Sequence, residues 1–214
     1  MNKELYNFKF WHLLLLIILL YAGTTYVTNT FMFTNSFYYT TLSDKLAIDR
    51  ITELIFLQHK YQLWGYLFSP ILLLLKLWII AGVVFIGLYL FNQEVSYKNC
   101  LKIVVIAELV SVVAMLVRVA WLLIYKPANV ADMQYFSPLS ITQLFNANTL
   151  PKYLFYPIQL FNVFEVAYWL VLAYGIMAFT NFKFGKSLKT VASSYGVALL
   201  IWSVIIVFIQ LQLS

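Results

Sequence analysis

Long apolar runs separated by short polar segments dominate the chain. A helix needs about 20 mainly apolar residues to cross the hydrocarbon core of a bilayer, and five runs meet this length. They lie at about residues 10–28, 69–91, 101–125, 154–179 and 191–211. In the second run, Ser69 is expected to cap the helix and Pro70 to occupy its first position. The pattern predicts an all-α, five-span transmembrane helical bundle, with residues 1–214 forming a single integral membrane domain.

The first run also has features of a secretory signal peptide, because Lys3 and Lys9 precede a short apolar stretch. The residues that follow it, 21–26, lack a small-x-small cleavage pattern. An uncleaved first span is therefore expected.

Two segments between the spans are patterned as more than plain loops. In 43–60 most apolar residues fall on one helical arc and the charged residues on the opposite arc, which predicts an amphipathic helix on the outer membrane surface. Thr41 or Ser43 is expected to cap it. In 128–152, the Ser137-Pro138 pair opens a short apolar turn. A short helix on the outer surface is the favoured interpretation there, and a re-entrant segment is the alternative.

Composition excludes two broad classes of protein. The chain is 63% apolar and 10% charged, whereas soluble domains average about 45–50% apolar and about 25% charged. Both a soluble globular fold and intrinsic disorder are therefore excluded. The single cysteine excludes a disulfide framework and a thiolate metal site. The net charge of +6 is interpreted as flanking charge on membrane spans, so membrane lipids are the expected partners and nucleic acid is not.

The distribution of lysine and arginine predicts the orientation. With the N-terminus inside, the loops on the inner side carry more lysines than the outer segments carry basic residues. The segment 181–189 alone has three lysines and no acidic residue. An N-terminus inside and a C-terminus outside are therefore predicted.

No catalytic or metal-binding motif is recognisable. The chain has no metalloprotease, nucleophile-elbow or P-loop pattern, so no catalytic, cofactor-binding or metal-ligating residues are assigned and no cofactor is expected. His12 and His59 are interpreted as interfacial residues and Cys100 as a structural one. An intramembrane enzyme is the least favoured class of function.

Charged residues inside the predicted spans are the most informative polar positions, because a charge in the bilayer is costly. Four qualify, and together with one asparagine they form the predicted intramembrane polar cluster of Lys76, Glu108, Arg118, Asn162 and Glu165. Depths counted from the span midpoints predict that Glu165 pairs with Arg118, with Lys76 or Asn162 completing its hydrogen bonds. Three interpretations stay open: a pair that only holds helices together, a polar cavity or pathway that opens outward, and a Lys76 or Arg118 side chain that extends to a membrane interface.

Five short segments carry a resemblance to a known family. They are NQEVSYK at 92–98, FSPLS at 136–140, LFNVFEVAYW at 160–169, YGI at 174–176 and KFGKS at 183–187. In these segments, and in the order of its spans, the chain from Tyr66 onward resembles the bacterial branch of the Yip family (Ypt-interacting proteins). The resemblance implies five helices and a cytoplasmic N-terminus.

For eukaryotic members, the resemblance implies membrane trafficking with small GTPases that bind a long N-terminal region. Only residues 1–9 precede the first predicted span, so GTPase binding is not carried over, and the family offers no catalytic residues to transfer. We expect a non-enzymatic polytopic protein of a bacterial inner membrane that organises lipid or docks a partner membrane protein, or forms a homo-oligomer. The alternative is a permease-type subunit with a polar site at Glu165, Arg118 and Lys76.

The predicted topology can be tested by labelling single cysteines with a membrane-impermeant reagent. In a Cys100→Ala background, Ser214→Cys should react in intact cells, because the C-terminus is predicted outside. Ser96→Cys, in a predicted inner loop, should react only after permeabilisation. A Ser214→Cys variant that is protected in intact cells would contradict the predicted orientation.

Overall fold

The computed structural model describes residues 10–43, 46–125, 136–144 and 151–213. Within these ranges the chain is helical and has no β-strand, apart from an isolated bridge between Ser140 and Asn162. The predicted all-α class is therefore confirmed. Much of the segment 128–152 lies outside the described residues, and its described part contains a 3₁₀ turn, Ile141–Leu144.

The helices are numbered here in chain order. They are α1 (Phe10–Phe31), α2 (Asn35–Leu42), α3 (Ile48–Leu90), α4 (Tyr97–Tyr125), α5 (Lys152–Gln159), α6 (Val163–Phe179), α7 (Phe184–Val191) and α8 (Val197–Leu213). A π-helical turn, Ala192–Gly196, joins α7 to α8 without interrupting the helix.

Four helical segments in the described ranges are long and apolar enough to cross a membrane. They are Phe10–Phe31, Ile48–Leu90, Tyr97–Tyr125 and Phe184–Gln212. The predicted fourth span, 154–179, differs from the prediction because it is divided into α5 and α6. Asn162 is extended, with φ −137° and ψ 160°, and its side chain caps α6. The 17 residues of α6 give a length of about 25 Å, near the lower limit for a span.

Helix α3 corrects the prediction of a separate interfacial helix at 43–60. It is one helix of 43 residues with Pro70 inside it, so the predicted start at Ser69 and the caps at Thr41 or Ser43 are wrong. Its N-cap is Ala47. Proline removes only one backbone hydrogen bond, and the hydroxyl of Ser69 donates to the carbonyl of Tyr66 at 3.4 Å, which is the acceptor that Pro70 leaves unpaired. Long apolar sequence on both sides of Pro70 keeps the helix continuous.

Helix α4 lies at the centre of the bundle and packs against α1, α3 and α6. The turn between α7 and α8 packs against α3, and α5 packs against α8. Side chains from α3, α4 and α6 form the middle of the core, among them Leu77, Ile103 and Leu172, which are fully or almost fully buried. Most other apolar side chains of the long helices face outward, as expected where lipid is the solvent.

A glycine sets the close approach of α6 to α4. A Cβ atom added to Gly175 would overlap the side chain of Ile103, whereas Gly82 in α3 has nothing within 4 Å of its added Cβ. Small residues at such contacts allow membrane helices to pack with their backbones close together. Ile103 cannot turn away easily, because a β-branched side chain in a helix is confined to one main rotamer.

We predict that Gly175→Ala lowers the free energy of unfolding in detergent by about 1–3 kcal/mol, the usual cost of overpacking a core. The matched control is Gly82→Ala, which should be neutral or slightly stabilising because alanine favours the helix. Denaturant titration of both variants checks this prediction. Equal stability of the two variants would mean that α4 and α6 are not in close contact.

Candidate functional site

The most deeply buried charge in the described part of the chain is Glu108 of α4, whose exposed fraction is 0%. Lys76 of α3 donates from Nζ to Oε1 at 2.7 Å and to Oε2 at 3.0 Å. The hydroxyl of Tyr21 in α1 donates to Oε1 at 2.7 Å. This carboxylate therefore joins three helices through one ion pair and one additional hydrogen bond.

The positions of Lys76 and Glu108 along the chain explain why they meet. Lys76 precedes the end of α3 by 14 residues and Glu108 follows the start of α4 by 11, which places them about 21 Å and about 17 Å from the connection between the two helices. A lysine side chain is long enough to bridge the difference of about 4 Å between these two heights. Depths counted from the span midpoints did not predict this pair. The midpoint of the second span was misplaced, because α3 starts at Ile48, well before the predicted start of that span.

The predicted pair of Arg118 with Glu165 is wrong. Between described residues, the ion pairs within 4 Å are Lys76–Glu108 and the exposed Arg50–Glu53. Counted from the contact of Gly175 with Ile103, Glu165 lies about 15 Å along α6 and Arg118 about 22 Å along α4.

Glu165 instead forms a local site at the start of α6. Its Oε1 accepts a hydrogen bond from Trp169 Nε1 at 2.9 Å. Asn162 bonds to the backbone of Glu165 rather than to its carboxylate: the asparagine Oδ1 accepts from the Glu165 amide at 2.8 Å. The asparagine Nδ2 donates to the carbonyl of Gln159 at 2.8 Å. Asn162 thus fixes the start of the helix, and Trp169 fixes the carboxylate one turn later.

The π-helical turn of the last span holds this site in place. Gly196 leaves room for the indole of Trp169, because an added Cβ would lie 2.6 Å from the Trp169 ring. Tyr195 packs edge-on against Trp169, with ring centroids 6.1 Å apart. Single π turns inside helices occur frequently at functional sites.

Two tyrosines lie near both carboxylates. Tyr168 and Tyr195 have ring centroids 5.3 Å apart, and each is within electrostatic range of both Glu108 and Glu165. The hydroxyl of Tyr168 is buried and has no hydrogen-bond partner among the residues that the structure describes. The two acidic residues therefore belong to one polar region of the bundle.

A cavity of about 890 Å³ opens beside Glu165, between α6 and the last span. We call it the α6–α8 groove. Its walls are almost entirely apolar. The lining residues are Leu139, Ile141, Pro157, Leu160, Phe161, Asn162, Val163, Glu165, Val166, Trp169, Leu170, Leu188, Ala192, Gly196, Leu199, Leu200 and Ser203.

Of the predicted cluster, the structure joins Lys76 to Glu108 and places Asn162 beside Glu165, while Arg118 lies apart. The sequence analysis missed Tyr21 and Trp169. Tyr21 gave a usable signal, because it lies 11 residues into α1 and so is too deep for an interfacial tyrosine. Trp169 gave a weaker signal: it follows Glu165 by four residues, and residues at this spacing are neighbours on one face of a helix.

Other sequence candidates lie away from this region. Cys100 is buried, and His59 lies 3.4 Å from the Asn35 side chain on the exposed surface. In the described ranges, no group of three or more histidine, cysteine, aspartate or glutamate side chains is arranged to hold a metal ion.

Comparisons with known proteins gave no relatives. No family model, no curated protein and no solved structure matches the chain.

We predict strong coupling between Lys76 and Glu108 in a double-mutant cycle. Lys76→Met or Glu108→Gln alone should lower the free energy of unfolding by about 3–5 kcal/mol, since each breaks an ion pair whose carboxylate is fully buried. The double variant should be more stable than the sum of the two single losses, by about 1–3 kcal/mol. The exposed pair Arg50–Glu53 is the control, with an expected coupling of about 0.5 kcal/mol. Additive losses at Lys76 and Glu108 would contradict the ion pair.

Proposed function

We propose that this chain is a non-enzymatic integral membrane protein whose α6–α8 groove holds the hydrocarbon chain of a membrane amphiphile. The observation that carries the proposal is the groove itself, a cavity of about 890 Å³ with apolar walls. Cavities of about 300–1,000 Å³ lined by apolar side chains are the usual size and character of sites for small ligands. This proposal specifies the lipid-organising role expected from the sequence.

The bilayer supports a hydrocarbon occupant. The groove lies on α6 and α8, and most side chains of α8, such as Val204 and Phe208, are exposed on the outside of the bundle. Such a surface faces lipid, and an unfilled apolar gap forfeits dispersion contacts on its walls. An acyl or alkyl chain restores those contacts.

The chemistry of the walls supports a binding role rather than catalysis. Among the described lining residues, Glu165 is the only ionisable side chain, and its Oε1 is held by the indole of Trp169. General acid–base and nucleophilic catalysis rely on a second group within hydrogen-bond reach of the first. The nearest acidic neighbour, Glu108, is committed to Lys76 and Tyr21.

A permease-type subunit is the second candidate. The observation that favours it is that Glu165 lies on the groove, while Tyr168 and Tyr195 are within electrostatic range of both Glu165 and Glu108. Intramembrane ionisable residues often mark transport pathways. We rank this candidate second because the walls of the groove are apolar and Glu108 is fully buried, with its carboxylate bonded to Lys76 and Tyr21.

We also propose a cellular location and an orientation for the chain. The segments that resemble the bacterial branch of the Yip family, and the lysine-rich loops, support a bacterial inner membrane protein with its N-terminus inside and its C-terminus outside. In that orientation Glu165, about 21 Å from the inner end of α6, lies in the outer half of the membrane.

The proposal predicts that filling the groove removes its occupant. Leu200 of the groove and Leu72 of α3 are both 63% exposed, which makes them a matched pair. Leu200→Trp should lower the amphiphile retained after purification in mild detergent by about tenfold, since excluding two methylene groups weakens binding by about 1.6 kcal/mol. Leu72→Trp should retain the wild-type amount. Native mass spectrometry measures both.

Equal retention in the two variants would place the bound amphiphile elsewhere on the surface. A wild-type protein that retains no amphiphile in any mild detergent would contradict the proposal itself.

A further inference from the structure

Glu165 is an acidic side chain on an apolar wall, and its charge is not balanced by an ion pair with another described residue. The groups that neighbour its carboxylate are neutral: the indole of Trp169 donates a hydrogen bond to Oε1, and the hydroxyl of Tyr195 lies close by. The basic group within electrostatic range, Lys76, is bonded to both oxygens of Glu108. A positive charge that enters the groove therefore finds an acidic partner there.

The remainder of the groove selects against negative charge. No described lining residue is basic, and a phosphate or carboxylate held beside Glu165 would be repelled without any compensating donor charge. Anionic headgroups are therefore disfavoured at this position. An amphiphile with a cation and no anion fits it best.

Trp169 adds a second feature that favours a cation. Its indole is fixed from two sides, by its hydrogen bond to Glu165 and by its contact with the backbone at Gly196, and it lines the groove. Tryptophan is the strongest aromatic partner for cations, and alkylated ammonium groups are typical ligands of such rings. A fixed ring binds without an additional loss of side-chain freedom.

We propose that the α6–α8 groove binds a lipophilic ammonium compound, that is, an alkyl chain with one positively charged nitrogen and no anionic group. The nitrogen pairs with the carboxylate of Glu165 and contacts the indole of Trp169, and the alkyl chain lies along the apolar walls. This inference rests on the proposed function, because it assigns the polar end of the amphiphile whose chain the groove holds.

The experiment compares two probes of equal chain length, radiolabelled dodecyltrimethylammonium and radiolabelled dodecanol, in equilibrium dialysis against the full-length protein in neutral detergent. Glu165→Gln preserves an oxygen that can accept the Trp169 hydrogen bond, so the local fold is retained. It should weaken binding of dodecyltrimethylammonium by at least about tenfold, the effect of losing a close ionic partner. Binding of dodecanol should be unchanged.

Further variants separate this inference from the proposed function. Trp169→Phe should weaken binding of the ammonium probe by about threefold to tenfold through loss of the stronger cation–π partner. Leu200→Trp should weaken binding of both probes, and Leu72→Trp of neither. If Glu165→Gln and wild type bind the ammonium probe equally while Leu200→Trp still reduces binding, the cation specificity is wrong and the proposed function stands. If Leu200→Trp affects neither probe, the proposed function fails as well.

Discussion

The ion pair between Lys76 and the fully buried Glu108 is the constraint on which the rest of the bundle depends. A carboxylate with no exposed surface is tolerated in hydrocarbon only when its charge is neutralised and its oxygens accept hydrogen bonds. Lys76 and Tyr21 meet both requirements only at one relative height of α1, α3 and α4. The ion pair therefore fixes the relative heights of these three helices. The close contact of Gly175 with Ile103 then fixes the height of α6 relative to α4.

Two glutamates on neighbouring helices consequently have different surroundings. Glu108 receives three hydrogen bonds and is sealed inside the bundle. Glu165 has only neutral neighbours at its carboxylate, the indole of Trp169 and the hydroxyl of Tyr195, and it borders an open groove. The backbone also differs: α4 is a continuous helix through Glu108, whereas Glu165 lies in the first turn of α6, just after the break at Asn162.

Much of this fold follows from sequence, because long apolar runs have few alternatives to helices in a membrane. The membrane-spanning character, the C-terminal ends of the long helices and the set of costly charges were predictable on that basis. The pairing of Lys76 was not, because depth was counted from a helix start at Ser69, and a single proline between apolar runs does not reveal whether a helix continues through it. Counting from the short connection between α3 and α4 would have brought Lys76 and Glu108 together.

The residues that surround Glu165 could not be predicted from the sequence. The π turn that positions Tyr195 and Gly196 has no distinctive sequence pattern, since it differs from an α-helix only by one additional residue in a turn. The contact of Trp169 with Gly196 joins residues from two helices, and no local periodicity reports it. The groove could not be predicted either, because it is formed by residues from several helices and depends on how those helices are spaced.

The length of α3 has a geometric consequence for the membrane around it. Its 43 residues extend about 65 Å, roughly twice the thickness of a hydrocarbon core of about 30 Å. With its axis tilted by about 40° from the membrane normal, near the limit for such helices, the crossing from Leu90 uses about 26 residues and ends near Trp64. Trp64 stacks on Phe68, and aromatic side chains favour the boundary between hydrocarbon and headgroups. The charged residues of the helix before Trp64 then lie in the aqueous interface, so a change in bilayer thickness alters the angle of α3 before it alters which residues are immersed.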